Sequence, residues 1–393
     1  MRGAIRSARI DSAALIRPPP AAYAPAALAT VRPNPMKSST GAYFAKIDHL
    51  RALACFLVVA WHFTHAKGLI PFAYAPVFPL SPFEEGHLGV ALFMVLTGYL
   101  FAKLIDGRPI DYPRFLYNRV LRLGPLLAVV LAIHLLRSPD ASLRGVLEGF
   151  VLPTWPNGGW SIATELHFYL ILPAVLALGR WKPGALLALL AASTALRTAA
   201  WGVNGEVQSL AYWTIAGRFD QFVAGILAFQ ASRDVPYRPW MGAVAGVALA
   251  LFAAYVQLFN EWGGFFAMPS YPSPSPLWIV HPLVEGMAGA VLVAWYDRSP
   301  VALPRVLDRA AARVGELSYS LYLLHFFFFE RAWAWLFKAG VPLGNFYVAL
   351  PAAAAFLVAM LPLCWLSYTL IERPCLRFRT PYLRRPVAAP AVA

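Results

Sequence analysis

In the stretch IDHLRALACFLVVAWHFTH, Arg51 and His62 stand eleven residues apart. At ~100° per residue that is three turns plus ~20°, so both occupy one helical face about 16 Å apart along the axis. An imidazole with an unperturbed pKa of ~6.5 is mostly neutral at pH 7 and can take a proton from an alcohol. A guanidinium offers a planar fork to an anion. One helix so equipped could grip an anionic reactant at one level and deprotonate a hydroxyl at another, with Asp48 one turn before Arg51 to orient it. The plainer alternative is an arginine that snorkels to an interface and a histidine hydrogen-bonded in a core. His62 and His65, three apart with no third ligand nearby, do not make a metal site, and no metal is expected.

Four further stretches place polar groups on otherwise apolar runs. GGWSIATELHFYLILP sets Ser161, Glu165 and Tyr169 at four-residue intervals on one face. A carboxylate there needs an Arg or His partner, either in a site or in a structural ion pair between helices. SYSLYLLHFF places Tyr319, Tyr322 and His325 three apart, a polar ribbon that could equally be interfacial aromatics with one satisfied histidine. GRFDQF carries Arg218 and Asp220, whose spacing points them to separate partners. PRFLYNRVLRLGP gathers Arg114, Arg119 and Arg122 into a cationic patch, read either as a topology signal or as a site for the phosphates of a polyanion.

The elements that hold these residues follow from composition. Of 393 residues 59% are apolar and 13% charged, about half the charged share of ~25% in soluble domains. Mean hydropathy is +0.58. Apolar runs near 50–66, 88–105, 120–136, 161–179, 184–201, 210–230, 240–259, 278–296, 316–337 and 345–371 match the ~20 residues that cross a bilayer. The expected fold is therefore an all-α, polytopic transmembrane bundle of about ten spans, in which each buried ionisable group is a candidate for function. A net charge of +14 reports topology here rather than nucleic acid. Arg108, Arg114, Arg119, Arg122, Arg180, Lys182, Arg233, Arg238, Arg298, Arg305, Arg309 and Arg313 fall after even-numbered spans, against Lys67, Arg137, Arg144, Arg197 and Lys338 on the other side. Both termini are thus expected in the cytoplasm, with Arg377, Arg379, Arg384 and Arg385 near the end. Residues 1–40, rich in Pro, Ala and Arg, read as a disordered extension with Met36 as an alternative start. Residues 41–380 read as the membrane domain and 381–393 as a cytoplasmic tail. Cys55, Cys364 and Cys375 form no CxxC pair, and no internal repeat is visible.

Taken together these stretches resemble the membrane-bound acyltransferase 3 family. Arg51 and His62 fit its Arg, ten residues, His pattern. HLGVALFMVLTGYLFAK resembles its second helix, with Thr97 for the usual serine. RFLYNRVLRLGP is similar to its Arg-rich segment ending in Pro125, with Asn118 where many members have Arg. Trp160, Ser161, Glu165, Phe168, Tyr169 and Pro173 match its Trp-Ser, Glu, Phe-Tyr and Pro pattern, and SYSLYLLHFF and the closing IERP at 371–374 fall in the family order. The likeness runs from 43 to about 379.

Members of that family move acyl groups, most often acetyl, to sugar hydroxyls of glycans, glycolipids or glycosylated metabolites. Several carry an appended hydrolase-like domain; this chain resembles the stand-alone branch. The resemblance implies a multi-pass protein of the bacterial inner membrane among lipid. It implies a carbohydrate acceptor, acyl-CoA (acetyl-CoA above all) as donor substrate, and no permanently bound cofactor. His62 would be the general base, by direct transfer or through an acyl-enzyme. Arg51 would hold an anionic part of the donor or act through Asp48. Glu165 would orient an imidazole or bind acceptor, while Trp160 and Tyr322 would supply donors or a sugar-stacking surface. Ser161, Tyr169 and His325 would support them, and Arg114, Arg119 and Arg122 would receive the CoA phosphates. The competing class is a transporter using Arg51, His62 and Glu165 as a proton relay.

Overall fold

The computed structural model describes residues 43–66, 72, 74–182, 184–265 and 271–383. The N-terminal extension with Met36, Lys67, and the tail beyond 383 lie outside them. Among the described residues every regular element is helical: α1 (Ala45–Thr64), α2 (His87–Ile105), α3 (Tyr112–Arg137), α4 (Leu143–Val151) and α5 (Gly159–Trp181) come first. They are followed by α6 (Ala185–Asn204), α7 (Gln208–Trp213), α8 (Ile215–Ser232), α9 (Trp240–Glu261), α10 (Leu277–Arg298) and α11 (Arg305–Glu316). α12 (Ser318–Leu324), a 3₁₀ turn His325–Phe327, α13 (Phe329–Lys338), α14 (Phe346–Ser367), a π turn Tyr368–Glu372 and α15 (Arg373–Leu376) close the described chain.

Eight of these elements are long and apolar enough to cross a membrane: α1, α2, α3, α5, α6, α9, α10 and the run from α14 through α15. Two expected spans are not among them. The 210–230 stretch forms α7 and α8, where Arg218 and Asp220 dilute the apolar run. The 316–337 stretch breaks at His325–Phe327 into two short helices. α3 starts at Tyr112, eight residues before its expected boundary, because Asp111 accepts a hydrogen bond from the Arg114 amide (3.2 Å) and caps the helix. Arg119 and Arg122 are therefore helical rather than loop residues. Arg197 is likewise no loop cation: it lies in α6, fully buried, and pairs with Asp220 of α8 at 2.6 Å. Arg218 instead donates to the Tyr212 carbonyl (2.6 Å) and Gln221 Oε1 (3.1 Å), the separate partners that the spacing implied.

α2 and α8 are in backbone contact because Gly98 faces the Phe222 carbonyl and Gly225 faces the Val95 carbonyl. A Cβ at either position would collide with that oxygen, so small residues permit the approach. Polar contacts then gather helix ends. Lys46 at the start of α1 donates to the Tyr296 carbonyl near the end of α10 (3.0 Å), and Lys103 of α2 pairs with Asp297 at 2.6 Å. Arg180 of α5 donates to the Gly107 carbonyl (2.9 Å), and Arg233 after α8 pairs with Asp106 (3.2 Å). At the opposite end Phe346 N donates to the Tyr74 carbonyl (3.1 Å), and Trp201 Nε1 to the Pro274 carbonyl (3.2 Å).

The packed body runs past the expected boundary at 380. Asn118 exchanges both amide hydrogen bonds with Thr380 (2.6 and 3.0 Å), and the Asp111 amide donates to the Tyr382 carbonyl at 2.7 Å. Tyr382 is buried against Phe115 at a ring separation of 5.5 Å. Residues 381–383 thus pack against the start of α3.

Candidate active site

A cavity of about 130 Å³ lies among α1, α2, α3, α5, α8 and α12. Arg51, Arg119, Arg122, Ser161, Glu165, Tyr169, Tyr319 and Tyr322 all line it, with Thr97, so residues spread over most of the sequence meet in one space. Glu165 is fixed by hydroxyls: Thr97 donates to Oε1 at 3.0 Å, and Tyr169, one turn along, donates to the same oxygen. The Phe168 ring beside it stacks on Phe222 of α8 at 4.1 Å, which holds this face of α5 toward the cavity. Thr97 therefore does work that a serine could also do. Ser161 and Tyr322 hydroxyls are 2.7 Å apart and both reach the Gly158 carbonyl, at 2.9 and 3.2 Å. Gly158 has φ +73°, and a side chain there would meet the Tyr322 ring at 2.9 Å, so glycine is needed on both counts.

The three expected phosphate-site arginines separate. Among the described residues Arg119 has no carboxylate partner and its buried Nε no hydrogen-bond partner; its guanidinium lies over Phe101 and Phe115 at 5.0 and 5.7 Å. Arg122 pairs with Glu372, itself buried and also bonded by Ser320. Arg114 stands apart, mostly exposed, 3.5 Å from Asp111 at the cap of α3, and does not line the cavity. Arg379, next to the Thr380 that Asn118 holds, lies near Arg119 and Arg122 but does not line the cavity. Burial and those two neighbouring cations push the Arg379 guanidinium down to about 10, and its buried Nε has no hydrogen-bond partner. In the sequence Arg379 looks like one more basic residue near a chain end; Asn118 and Thr380 were the only hint, and they are far apart.

His62 does not line the cavity. It joins His325 in a second cluster, with His325 Nε2 3.3 Å from His62 Nδ1. Each Nδ1 also contacts a carbonyl one turn back, Val58 O at 2.8 Å and Leu321 O at 2.9 Å. A carbonyl can only accept, so both rings carry their proton on Nδ1, and the His62 Nε2 lone pair is the acceptor left. Phe326 and Phe329 wall this ring at 4.5 and 5.9 Å. Tyr322 links the clusters, lining the cavity while its ring centre lies 6.4 Å from that of His325. Asp48 bonds Arg51 at 3.0 Å, as the spacing suggested. Trp160 lies apart from the cavity lining, among Tyr212 and Trp213 at 4.9 and 4.8 Å.

The sequence that forms this arrangement is similar to those of known proteins. The model of an acyltransferase domain, that of the acyltransferase 3 family, matches residues 44–369. The chain belongs to that family. It is a multi-pass membrane O-acyltransferase. It is 28% identical over 377 residues to the membrane-bound transacylase BcsY of Komagataeibacter xylinus, covering 87% of this chain and 85% of the relative. It is 26% identical to the peptidoglycan O-acetyltransferase OatA of Listeria monocytogenes and 24% to the O-acetyltransferase OatA of Staphylococcus aureus. Those matches cover 72% of this chain but 49% and 50% of the relatives, so the chain spans about half their length. No solved structure matches.

Proposed function

We propose that this acyltransferase moves an acetyl group from acetyl-CoA, arriving from the cytosol, to a hydroxyl of a surface polysaccharide or related glycan. The observation that carries the reading is the cavity in which Arg51, Arg119 and Arg122 face Glu165 and six hydroxyl-bearing side chains, with Arg379 near Arg119 and Arg122. The Arg119 guanidinium, with no carboxylate partner among the described residues, lies in a confined space beside the ion-paired Arg51 and Arg122, an arrangement that suits the phosphates of a CoA carrier. His62 Nε2 is the general base on the acceptor hydroxyl, with His325 orienting it. Arg51 positions the donor, while the Ser161 and Tyr322 hydroxyls stand between the two clusters as donors for a developing oxyanion. The similarity to the peptidoglycan O-acetyltransferase OatA supports a carbohydrate acceptor. The test is release of CoA from acetyl-CoA by purified protein, stimulated by a soluble glycan acceptor and lost in His62→Ala. Acceptor-dependent transfer with no thioester consumed would refute the donor.

The reading includes ten crossings with cytoplasmic termini. The ends of α2, α5, α8 and α10 meet the start of α1 on one side, and the start of α14 meets Tyr74 on the other. α8 and the broken α12–α13 segment must then each pass between the two sides. Cysteine accessibility at Gly107 and Gly340 should label opposite faces; labelling from one face would refute it.

A further inference from the structure

Away from the cavity, the start of α2 and the start of α10 bring together His87, His281 and Glu285, all buried, with Glu85 buried beside them. One donor atom from each of the first three lies within 4.8 Å of the others. We propose that these residues bind one transition-metal dication of the zinc class, which fastens α2 to α10.

Several observations support this independently of the acyl-transfer reading. His281 and Glu285 are one turn apart on α10, and His281 Nε2 sits 3.3 Å from Glu285 Oε1. That is the edge of a tetrahedron with metal–ligand bonds of ~2.0–2.1 Å. Among the described residues the buried His281 Nε2 has no hydrogen-bond partner, and on the far side of the His87 ring Nε2 lies 2.8 Å from Glu85 Oε2, so Glu85 adds a second carboxylate close to the site. The outer contacts are those a metal site requires. Tyr255 OH lies 2.7 Å from His281 Nδ1, and Gln221 donates to Glu285 Oε2 at 2.8 Å. Two carboxylates balance a dication, and two imidazoles select zinc-class ions over magnesium or calcium, which prefer oxygen alone. Aromatic rings seal the pocket, with Phe259 stacked on His281 at 4.3 Å. The alternative is that imidazole protons alone bridge the carboxylates; His87 contacts Glu285 through Nδ1 closely enough for such a bond.

Untagged full-length protein in detergent, stripped with EDTA, decides between them by titration with Co²⁺. The expected result is one equivalent bound per chain, with the visible d–d absorption of low-coordinate cobalt bleached by Zn²⁺, and a higher unfolding midpoint in the metal-loaded protein. His281→Gln and Glu285→Gln should lose that equivalent. Because either variant could fail to fold, the wild-type titration stands as a test by itself. Absence of stoichiometric binding by the wild type overturns the proposal in favour of the proton bridge. Binding undiminished in both folded variants places the metal elsewhere and also overturns it.

Discussion

Replacing Arg119 and Arg122 one at a time should separate donor binding from stability, although the two lie one turn apart on α3. Arg122→Ala leaves Glu372 buried, with the Ser320 hydroxyl its one remaining hydrogen-bond partner among the described residues. Breaking a buried ion pair on one side costs about 3–5 kcal/mol, which lowers the unfolding midpoint by on the order of 10 °C. Arg122→Met combined with Glu372→Gln removes both charges and should recover most of that loss. Arg119 has no carboxylate to strand; its truncation forfeits ring contacts worth ~0.5–2 kcal/mol. A charge-assisted bond to phosphate is worth ~1.5–3 kcal/mol, so Arg119→Ala should raise the donor KM roughly 10- to 100-fold. Arg119→Lys should recover only part, since a point charge lacks the fork. The assays are tryptophan-monitored thermal unfolding in micelles and CoA release with donor varied at saturating acceptor. A change in acceptor KM alone on Arg119→Ala would refute the donor site. An Arg122→Ala midpoint within about 2 °C of wild type, where one costly buried charge predicts far more, would refute the ion-pair reasoning.

Three further outcomes are expected. His62→Ala should insert and unfold as the wild type does while transfer falls ~10²- to 10⁴-fold; a loss of folded protein with normal turnover per molecule would make His62 a packing residue. Arg51→Lys should keep charge beside Asp48 yet be severely impaired in donor kcat/KM, a comparison best read at saturating acceptor. Arg379→Gln should raise the unfolding midpoint and weaken donor binding together. A base whose folded pKa lies below its unfolded one opposes folding at every pH below the folded value, here about 10, so removing the charge relieves the folded state at neutral pH.

The sequence displayed whatever depends on neighbours within a turn or two. Ser161, Glu165 and Tyr169 share a face because of their four-residue spacing, and the cavity wall they form follows from that. Arg51 and Asp48 pair for the same reason. What depended on partners far along the chain stayed hidden. Arg197 resembled a loop cation until Asp220 met it from another helix, and His62 and His325, 263 positions apart, carried no sign of their contact. The break at His325–Phe327 was masked by an unbroken apolar run, since hydropathy does not register that backbone turn. That Arg114 stands at the cap of α3 while Arg379 lies near Arg119 and Arg122 was hidden for the same reason: local charge density cannot tell the two positions apart.

The paired amides of Asn118 and Thr380 lie 262 positions apart. At ~5–20 residues per second of synthesis, α3 enters the membrane some tens of seconds before its partner is made. Through that interval Arg119 and Arg122 lack Arg379, and the segment that seats Tyr382 on Phe115 does not yet exist. The cationic pocket is therefore completed last, after the final helix is in place. A protein clipped just beyond Leu376 would keep all its long helices yet lack the segment that brings Arg379 beside Arg119 and Arg122.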